Sequence, residues 1–477
     1  MISPLRTKAV TRLCDAYNDL GYSVFKLRPF CAVVLACALL SAARAQLSVP
    51  DQQYRCPPTE DECGKTHRLP AFELGASEVN HHPYTINYVE FTDKGVLWDP
   101  HELKDAVKQI AAAADGGSQH PLVVVYVHGW QNNASNISGD VVKFCGFISR
   151  LADDYPVGLP GKAPQVVGIY LAWRGLTIRF EPFKYFLSYW PRRQVAKNVG
   201  RTGIKNAVEV IKDAVNVNPT VRANTFLIFA GHSFGARVLE NAIDGLDAKG
   251  NPGFMRQYFE EMHKTAQTAS SQHAKVSDEQ VRAIPLMPAD LVVYVNAATS
   301  SAMTRKRVRQ VKNDCPNFRS HPICSADPLY IAFTSTNDLA TGLVMPIANL
   351  VLPDLISDKL NLISAANSPW MHTHHAPEPG CPQGEVICFD IARPNQPPTR
   401  YYLPRIPGKA QVPKSEDQAF DSDPFWIFNV HSNLVNGHGD VWNPNVANML
   451  TVIIQNNRRF QQVRAAAVTV APRGRPE

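Results

Sequence analysis

Residues 225–243 read TFLIFAGHSFGARVLENAI, a segment that changes character twice along its length. Its first six residues, Thr225 to Ala230, are β-branched, aromatic or otherwise apolar, which is typical of a buried strand. Its last eight, Ala236 to Ile243, have the apolar spacing of an amphipathic helix. Gly231 to Gly235 between them match the pattern G-x-S-x-G, in which the glycines permit a sharp strand-to-helix turn. The segment predicts that Ser233 stands exposed at the carboxyl edge of a sheet, as a candidate nucleophile.

Similar strand-like runs occur on both sides of this segment and alternate with helical ones. The predicted strands are 85–91, 122–127, 166–172, 225–230, 291–295, 329–335 and 425–430. The predicted helices are 140–155, 194–215, 236–243 and 446–463. Buried strands that alternate with helices indicate a mostly parallel sheet covered on both faces. The sequence therefore predicts an α/β fold with a mostly parallel central sheet flanked by helices on both faces.

A second motif lies upstream, where the apolar run Val123 to Val127 leads directly into His128-Gly129-Trp130. A loop in this position can supply one of two N–H groups that stabilise an oxyanion. The two motifs and the strand order together resemble the α/β-hydrolase fold, and the His-Gly-Trp loop is similar to that of bacterial secreted serine hydrolases of the esterase and lipase type. The resemblance covers residues 85–465 at the level of fold. It is specific only around Trp130, Ser233 and His438.

The resemblance implies a catalytic triad in the chain order nucleophile, acid, histidine. The acid is expected in the loop after the second strand beyond Ser233, where Asp338 follows the run Leu329 to Ser335. The loop after the preceding strand, Leu291 to Val295, offers no carboxylate. The alternative interpretation of Asp338 is an N-cap for the helical residues that follow it.

Two histidines follow the last predicted strand. His438 lies between Gly437 and Gly439, and such a loop has the backbone freedom to bring an imidazole over the sheet edge. His431 continues the strand directly and is the alternative. We expect His438 to be the catalytic base.

The function implied by the resemblance is cleavage of a carboxylic ester or a related acyl bond. Ser233 would attack the carbonyl, His438 would transfer the proton, and Asp338 would orient the imidazole. The backbone N–H groups of Trp130 and Phe234 would stabilise the oxyanion. Neither a cofactor nor a metal is expected, and a small-molecule or lipid ester would be the substrate.

Two other hypotheses remain open at this point. The chain could be a catalytically inactive relative that serves as a binding module. It could also be a metal-dependent hydrolase, because His372, His374 and His375 cluster near two acidic residues, Glu378 and Glu385. A solvated histidine cluster in a loop explains the same residues without a metal.

An aromatic segment follows the predicted strand 166–172. This segment could be core, or it could form a surface that receives an acyl chain close to the site. Esterase, lipase, thioesterase and amidase activities all fit these features. The aromatic residues are Phe180, Phe183, Tyr185, Phe186, Tyr189 and Trp190.

The amino-terminal residues have the pattern of a secretion signal. Basic residues precede an apolar run from Phe30 to Leu40, and Ala43-Arg44-Ala45 is the small-x-small pattern of a cleavage site. We expect residues 1–45 to be a removable signal peptide and the protein to be secreted or periplasmic. A lipoprotein site at Cys37 is a minority alternative.

Charge argues against a nucleic-acid partner, and hydropathy argues against a transmembrane helix. Beyond residue 45 the chain holds 42 Lys and Arg against 40 Asp and Glu, so the balanced body has no electrostatic preference for nucleic acid. The sequence contains no apolar run of about 20 residues, so no transmembrane helix is expected.

Seven of the ten cysteines lie beyond residue 45, and six of them form the close pairs Cys56/Cys63, Cys315/Cys324 and Cys381/Cys388. Close pairs in Pro-rich, polar stretches suit disulfide-closed loops in an oxidising compartment. Cys145 is left over, within a helical pattern where a small buried thiol is usual.

The chain is expected to divide into four parts. A signal peptide covers residues 1–45, and an extension with a disulfide loop covers 46–84. The α/β domain covers 85–465, with cap or loop insertions near 250–287 and 352–422. The last part, 466–477, is expected to be a flexible tail.

Overall fold

The structure of the protein is a computed structural model. The structure describes residues 72–115, 121–135, 138–154, 166–175, 184–216, 221–222, 225–247, 249–271, 289–314, 328–346, 363–383, 385, 387–393, 396–406, 424–457 and 460–461. Several predictions lie outside these residues: the signal peptide 1–45 with Cys37, the pairs Cys56/Cys63 and Cys315/Cys324, the tail 466–477, and Phe180 and Phe183.

An eight-stranded sheet forms the centre of the molecule, in the order β1-β2-β4-β3-β5-β6-β7-β11. Only the edge strand β1 is antiparallel to its neighbour, and all other neighbouring pairs are parallel. The strands are β1 (Phe72–Ala76), β2 (Pro83–Phe91), β3 (Leu122–Val127), β4 (Val166–Trp173), β5 (Phe226–His232), β6 (Leu291–Val295), β7 (Tyr330–Ser335) and β11 (Phe425–Val430).

Helices cover both faces of this sheet, because its strands alternate their side chains between two apolar cores. On β3, Val123 and Val125 belong to one core, whereas Val124 and Tyr126 belong to the other. Buried side chains of α1 and α3 to α7 pack on the first core, and those of α2 and α8 pack on the second. The helices are α1 (Pro100–Asp115), α2 (Gly139–Asp154), α3 (Lys184–Val199), α4 (Lys205–Asn216), α5 (Phe234–Ile243), α6 (Phe254–Ser271), α7 (Ser301–Asp314) and α8 (Pro444–Asn456).

The α/β class and the mostly parallel sheet agree with the prediction, and all seven predicted strands are present. The sheet also contains β1, which lies before residue 85, where the predicted domain began. The single predicted helix 194–215 is in fact α3, a π-helical turn at Gly200–Ile204, and α4. The turn allows Gly200 to pack closely against α5, where an added Cβ would lie 2.9 Å from Cβ of Asn241.

The two segments predicted as insertions have different structures. Residues 250–287 contain α6, whose Phe254, Tyr258 and Met262 are buried in the core of the domain. Residues 352–422 contain a small antiparallel sheet in the order β8-β10-β9, formed by β8 (Glu378–Pro379), β9 (Cys388–Arg393) and β10 (Gln396–Tyr402).

The cysteines in the described residues follow the predicted pairing. Cys381 and Cys388 form a disulfide at the start of β9. Cys145 is not in a disulfide, and its Sγ lies 3.6 Å from the hydroxyl of Tyr88. Within the described ranges, no helix combines the length and apolar character needed to cross a bilayer.

Candidate active site

Ser233 occupies a strained turn between β5 and α5. Its φ of 53° and ψ of −122° lie in a region that non-glycine residues rarely adopt. The flanking glycines permit the turn, because a Cβ on Gly231 would lie 2.6 Å from Cα of Ala236, and one on Gly235 would collide with the carbonyl of Val127. The predicted strand, sharp turn and helix are therefore present around Ser233. The expectation that Ser233 stands exposed is wrong, because only 2% of its surface is accessible where the turn packs against the neighbouring strands.

The three residues predicted from separate parts of the chain form one hydrogen-bonded series. Nε2 of His438 lies 2.7 Å from Oγ of Ser233. Nδ1 of His438 lies 2.9 and 3.0 Å from the two carboxylate oxygens of Asp338. A carboxylate can only accept, so Nδ1 carries a proton. In the neutral form of the ring, Nε2 is then the acceptor for the hydroxyl of Ser233.

The carboxylate of Asp338 is buried and held by its own loop. The backbone N–H groups of Ala340 and Thr341 donate to Oδ1, and the hydroxyl of Thr341 donates to Oδ2. Burial would raise the pKa of Asp338, but the hydrogen bonds from His438 and Thr341 outweigh burial and lower it below its ordinary value. The cap-like contacts of the alternative interpretation are thus present together with the contact to His438.

Asn296, which belongs to no recognisable motif, holds the loop that carries His438. It follows β6 with a positive φ of 46° and is fully buried. Its Nδ2 donates to the carbonyls of Gly437, at 3.1 Å, and His438, at 2.9 Å, while its Oδ1 accepts from the N–H of Ser335 at 2.9 Å. Its position at the carboxyl end of a strand beside β5 was the available signal.

His232 contacts the same loop from the other side. Its Nε2 lies 2.9 Å from the carbonyl oxygen of His438, and because a carbonyl can only accept, Nε2 carries the proton. Its Nδ1 faces Gly129, where an added Cβ would lie 2.5 Å away. Burial lowers the pKa of His232 to about 3, so the ring is neutral at physiological pH. His232 and Asn296 therefore fix the backbone of His438 together.

Trp130 and Phe234, the predicted oxyanion donors, lie side by side next to Ser233. Their rings meet edge-to-face with centroids 5.9 Å apart. Phe234 is the first residue of α5, where backbone N–H groups have no acceptor within the helix. His128 supports the loop of Trp130 by accepting from the backbone N–H of Trp173 at 3.1 Å, and burial lowers its pKa to about 4.

His431 lies apart from this series. Its side chain is exposed, and its backbone carbonyl accepts from the N–H groups of Leu434 and Val435 at the start of the loop. The structure thus brings His438, and not His431, into hydrogen-bonding distance of Ser233.

The three histidines of the possible metal cluster have other contacts. Nε2 of His372 lies 2.8 Å from the carbonyl of Ala366. The ring of His374 is buried against Trp426, and burial lowers its pKa to about 3. Among the residues that the structure describes, no group of three or more His, Cys, Asp or Glu is arranged to hold a metal ion.

The site thus combines a strained serine, a histidine in contact with it and a buried carboxylate at one edge of a parallel sheet. Comparisons of the chain with protein families, with curated proteins and with solved structures found no match. What the site does must follow from its own geometry and chemistry.

Proposed function

We propose that the protein is a serine hydrolase that cleaves a carboxylic ester or a related acyl bond through an acyl-enzyme. The observation that carries this proposal is the series Ser233, His438 and Asp338, joined by contacts of 2.7 and 2.9 Å. In this series a base lies next to a nucleophile, and a carboxylate orients the base.

In the proposed mechanism, Ser233 Oγ attacks the carbonyl carbon of the substrate while Nε2 of His438 takes its proton. The imidazolium that results is stabilised by the carboxylate of Asp338, whose lowered pKa keeps it ionised. The tetrahedral intermediate collapses as His438 gives the proton to the leaving alcohol. Water then repeats the sequence on the acyl-enzyme, with His438 again acting first as base and then as acid.

The N–H groups of Phe234 and Trp130 are the proposed oxyanion donors. The N–H of Phe234 opens α5, where the positive end of the helix dipole also favours negative charge. Losing one such donor typically costs roughly 3 to 4 kcal/mol of transition-state stabilisation.

We infer that the sheet belongs to the α/β-hydrolase fold. The nucleophile, acid and histidine follow β5, β7 and β11 in that chain order, and the His-Gly-Trp loop follows β3, as the fold requires. The disulfide Cys381–Cys388 supports export to an oxidising compartment.

Labelling with a fluorophosphonate tests the proposal on the full chain. Wild type is expected to label at one residue, and Ser233→Ala is expected not to label. The matched control is Ser149→Ala, which removes another buried hydroxyl, on α2. Equal urea midpoints for Ser233→Ala and wild type would show that the fold is intact.

Two results would contradict the proposal. If Ser233→Ala labels at the wild-type rate, Ser233 is not the nucleophile. If wild type neither labels nor turns over any p-nitrophenyl ester, the binding module with no catalytic activity becomes the better description.

A further inference from the structure

Three cationic side chains, Lys197, Arg201 and Arg237, form what we call the basic cluster. Lys197 is on α3, and Arg201 lies four residues later in the π-helical turn. Arg237 is on α5, one helical turn after Ser233. The close contact of Gly200 with the backbone of Val238 brings these two helices together at the level of the cluster.

None of the three side chains of the basic cluster forms an ion pair with a described carboxylate. Arg237 is near enough to Glu240 to lower its pKa, but burial raises that pKa more, to about 8. Other buried or half-buried arginines are paired: Arg192 lies 2.7 Å from Asp93 and Arg222 lies 2.7 Å from Asp290. Lys197, Arg201 and Arg237 form no such ion pair within the ranges that the structure describes. This contrast makes the cluster unusual, because half-buried charges are normally paired.

Two guanidinium nitrogens in the cluster also need an acceptor. Nε of Arg201 and Nε of Arg237 are buried, and neither has a hydrogen-bond acceptor among the described residues. A buried donor without an acceptor destabilises the folded state. Burial lowers the pKa of Lys197, and the charges of Arg201, Arg237 and Arg193 lower it further. An anion bound beside the other guanidinium nitrogens and the ammonium group would relieve this repulsion.

The cluster is connected to the site through one short loop. Nη1 of Arg237 donates to the carbonyl of Ala298 at 3.1 Å, and the N–H of Ala298 donates to the carbonyl of Ser233 at 3.0 Å. A group bound at the cluster would therefore lie beside the turn that carries the nucleophile.

We propose that the basic cluster binds an anionic group, a carboxylate or a phosphate, on the substrate that Ser233 attacks. The chemistry of the three side chains fits either group, because guanidinium and ammonium groups make charge-assisted hydrogen bonds to both. The substrate class that follows is an ester or related acyl compound with an acidic group away from the scissile bond. This assignment rests on the proposed hydrolase function, whereas anion binding by the cluster does not.

Anion binding is measured first, on full-length Ser233→Ala, by isothermal calorimetry with succinate, with inorganic phosphate and with neutral succinamide. Succinate or phosphate is expected to bind at one site, and succinamide is expected not to bind. Lys197→Gln and Arg201→Gln in the same background should each weaken binding roughly tenfold, the loss expected for one charge-assisted hydrogen bond. Lys249→Gln, which removes an exposed cation elsewhere, is the matched control and should bind normally.

The ester preference is measured next, on the chain with Ser233 intact. The p-nitrophenyl monoester of glutaric acid should be hydrolysed with a higher kcat/KM than p-nitrophenyl butyrate. Lys197→Gln should lower kcat/KM for the acidic ester roughly tenfold more than it lowers kcat/KM for the neutral ester, through a higher KM for the acidic ester. A purely structural role for Lys197 would change both esters alike.

The outcomes separate the two proposals. No binding of either anion, or binding that Lys197→Gln and Arg201→Gln leave unchanged, overturns the basic cluster as an anion site. Binding without a preference for the acidic ester overturns the substrate assignment. Binding by Ser233→Ala together with a wild type that hydrolyses neither ester supports the anion site and overturns the ester hydrolase.

Discussion

Replacing Asn296 with alanine is expected to disable the site, although Asn296 contacts His438 only at its backbone carbonyl and not at the imidazole. Its amide donates to the carbonyls of Gly437 and His438 and accepts from the N–H of Ser335. It thereby ties the loop of His438 to the ends of β6 and β7. Asn296→Ala would remove all three hydrogen bonds at once.

The expected loss of stability can be worked out from these contacts. Each bond contributes about 1 kcal/mol to the free energy of unfolding, so three contribute about 3 kcal/mol. Alanine at a φ of 46° adds strain of about 1 kcal/mol, because its Cβ crowds the backbone in the left-handed region. Asn296→Gly loses the same bonds without that strain, and should therefore be about 1 kcal/mol more stable than Asn296→Ala.

The loss of activity follows from the position of His438. Its carbonyl would retain only the contact with His232, at 2.9 Å, so the imidazole would be held less firmly between Ser233 and Asp338. Misplacement of a catalytic group by about 1 Å lowers the rate roughly 100-fold. We expect kcat to fall roughly 10- to 100-fold in both variants, with KM nearly unchanged, because no substrate contact is removed.

Urea denaturation and the rate of fluorophosphonate labelling measure the two effects separately. Asn448→Ala is a suitable control, because it removes one side-chain hydrogen bond between α8 and the carbonyl of Asp390 on β9, and not a bond to the loop of His438. It should lose some stability and label normally. If Asn296→Gly is folded and labels at the wild-type rate, Asn296 does not position His438 and the reasoning is refuted.

Three further predictions concern other parts of the molecule. His438→Ala should lower turnover by several orders of magnitude and His431→Ala by at most a few-fold, because of these two histidines only His438 contacts Ser233. Near-wild-type turnover in His438→Ala would reverse the assignment of His438 as the catalytic base. Glu240 lines a cavity of about 30 Å³, and burial, followed by repulsion from Asp244, raises its pKa to about 8 from 4.5. Between these two pH values, Glu240 is protonated in the folded state and ionised in the unfolded state, so its contribution to the free energy of unfolding is lost as pH rises. Urea titrations at about pH 5 and about pH 8 should therefore show that Glu240→Gln gains stability relative to wild type at the higher pH. An equal difference between variant and wild type at both pH values would contradict this. Alkylation of native protein from an oxidising compartment, read by mass spectrometry without reduction, should modify Cys145 alone, and a second modified thiol in the mature chain would mean that one predicted cysteine pair is wrong.

Local patterns in the sequence were sufficient for the fold class and for the turn that carries Ser233. Short runs of β-branched and aromatic residues indicate a buried strand from a few neighbouring residues alone, so the seven strands could be located without knowing which strands they pair with. The turn could be predicted because the glycines that permit it flank the serine. The helices α1 and α7 were missed, since α7 in particular is rich in basic residues and has a weak apolar pattern.

Other parts of the candidate site depended on the resemblance and on the tertiary structure. Asp338 and His438 were expected from the chain order of a family, but their distances to each other follow only from the placement of β7 and β11 side by side. Asn296 carries no motif, and its contact with His438 spans 142 residues.

The sequence by itself determined the α/β class, the strained serine and the order in which the candidate residues occur. Only the tertiary structure decided which histidine reaches Ser233, what holds the loop of that histidine, and which cations form no ion pair with the carboxylates that the structure describes. The physical reason is that strand and turn propensities act over a few neighbouring residues. Hydrogen bonds and ion pairs between distant segments depend on the order of strands in the sheet and on the packing of helices against it.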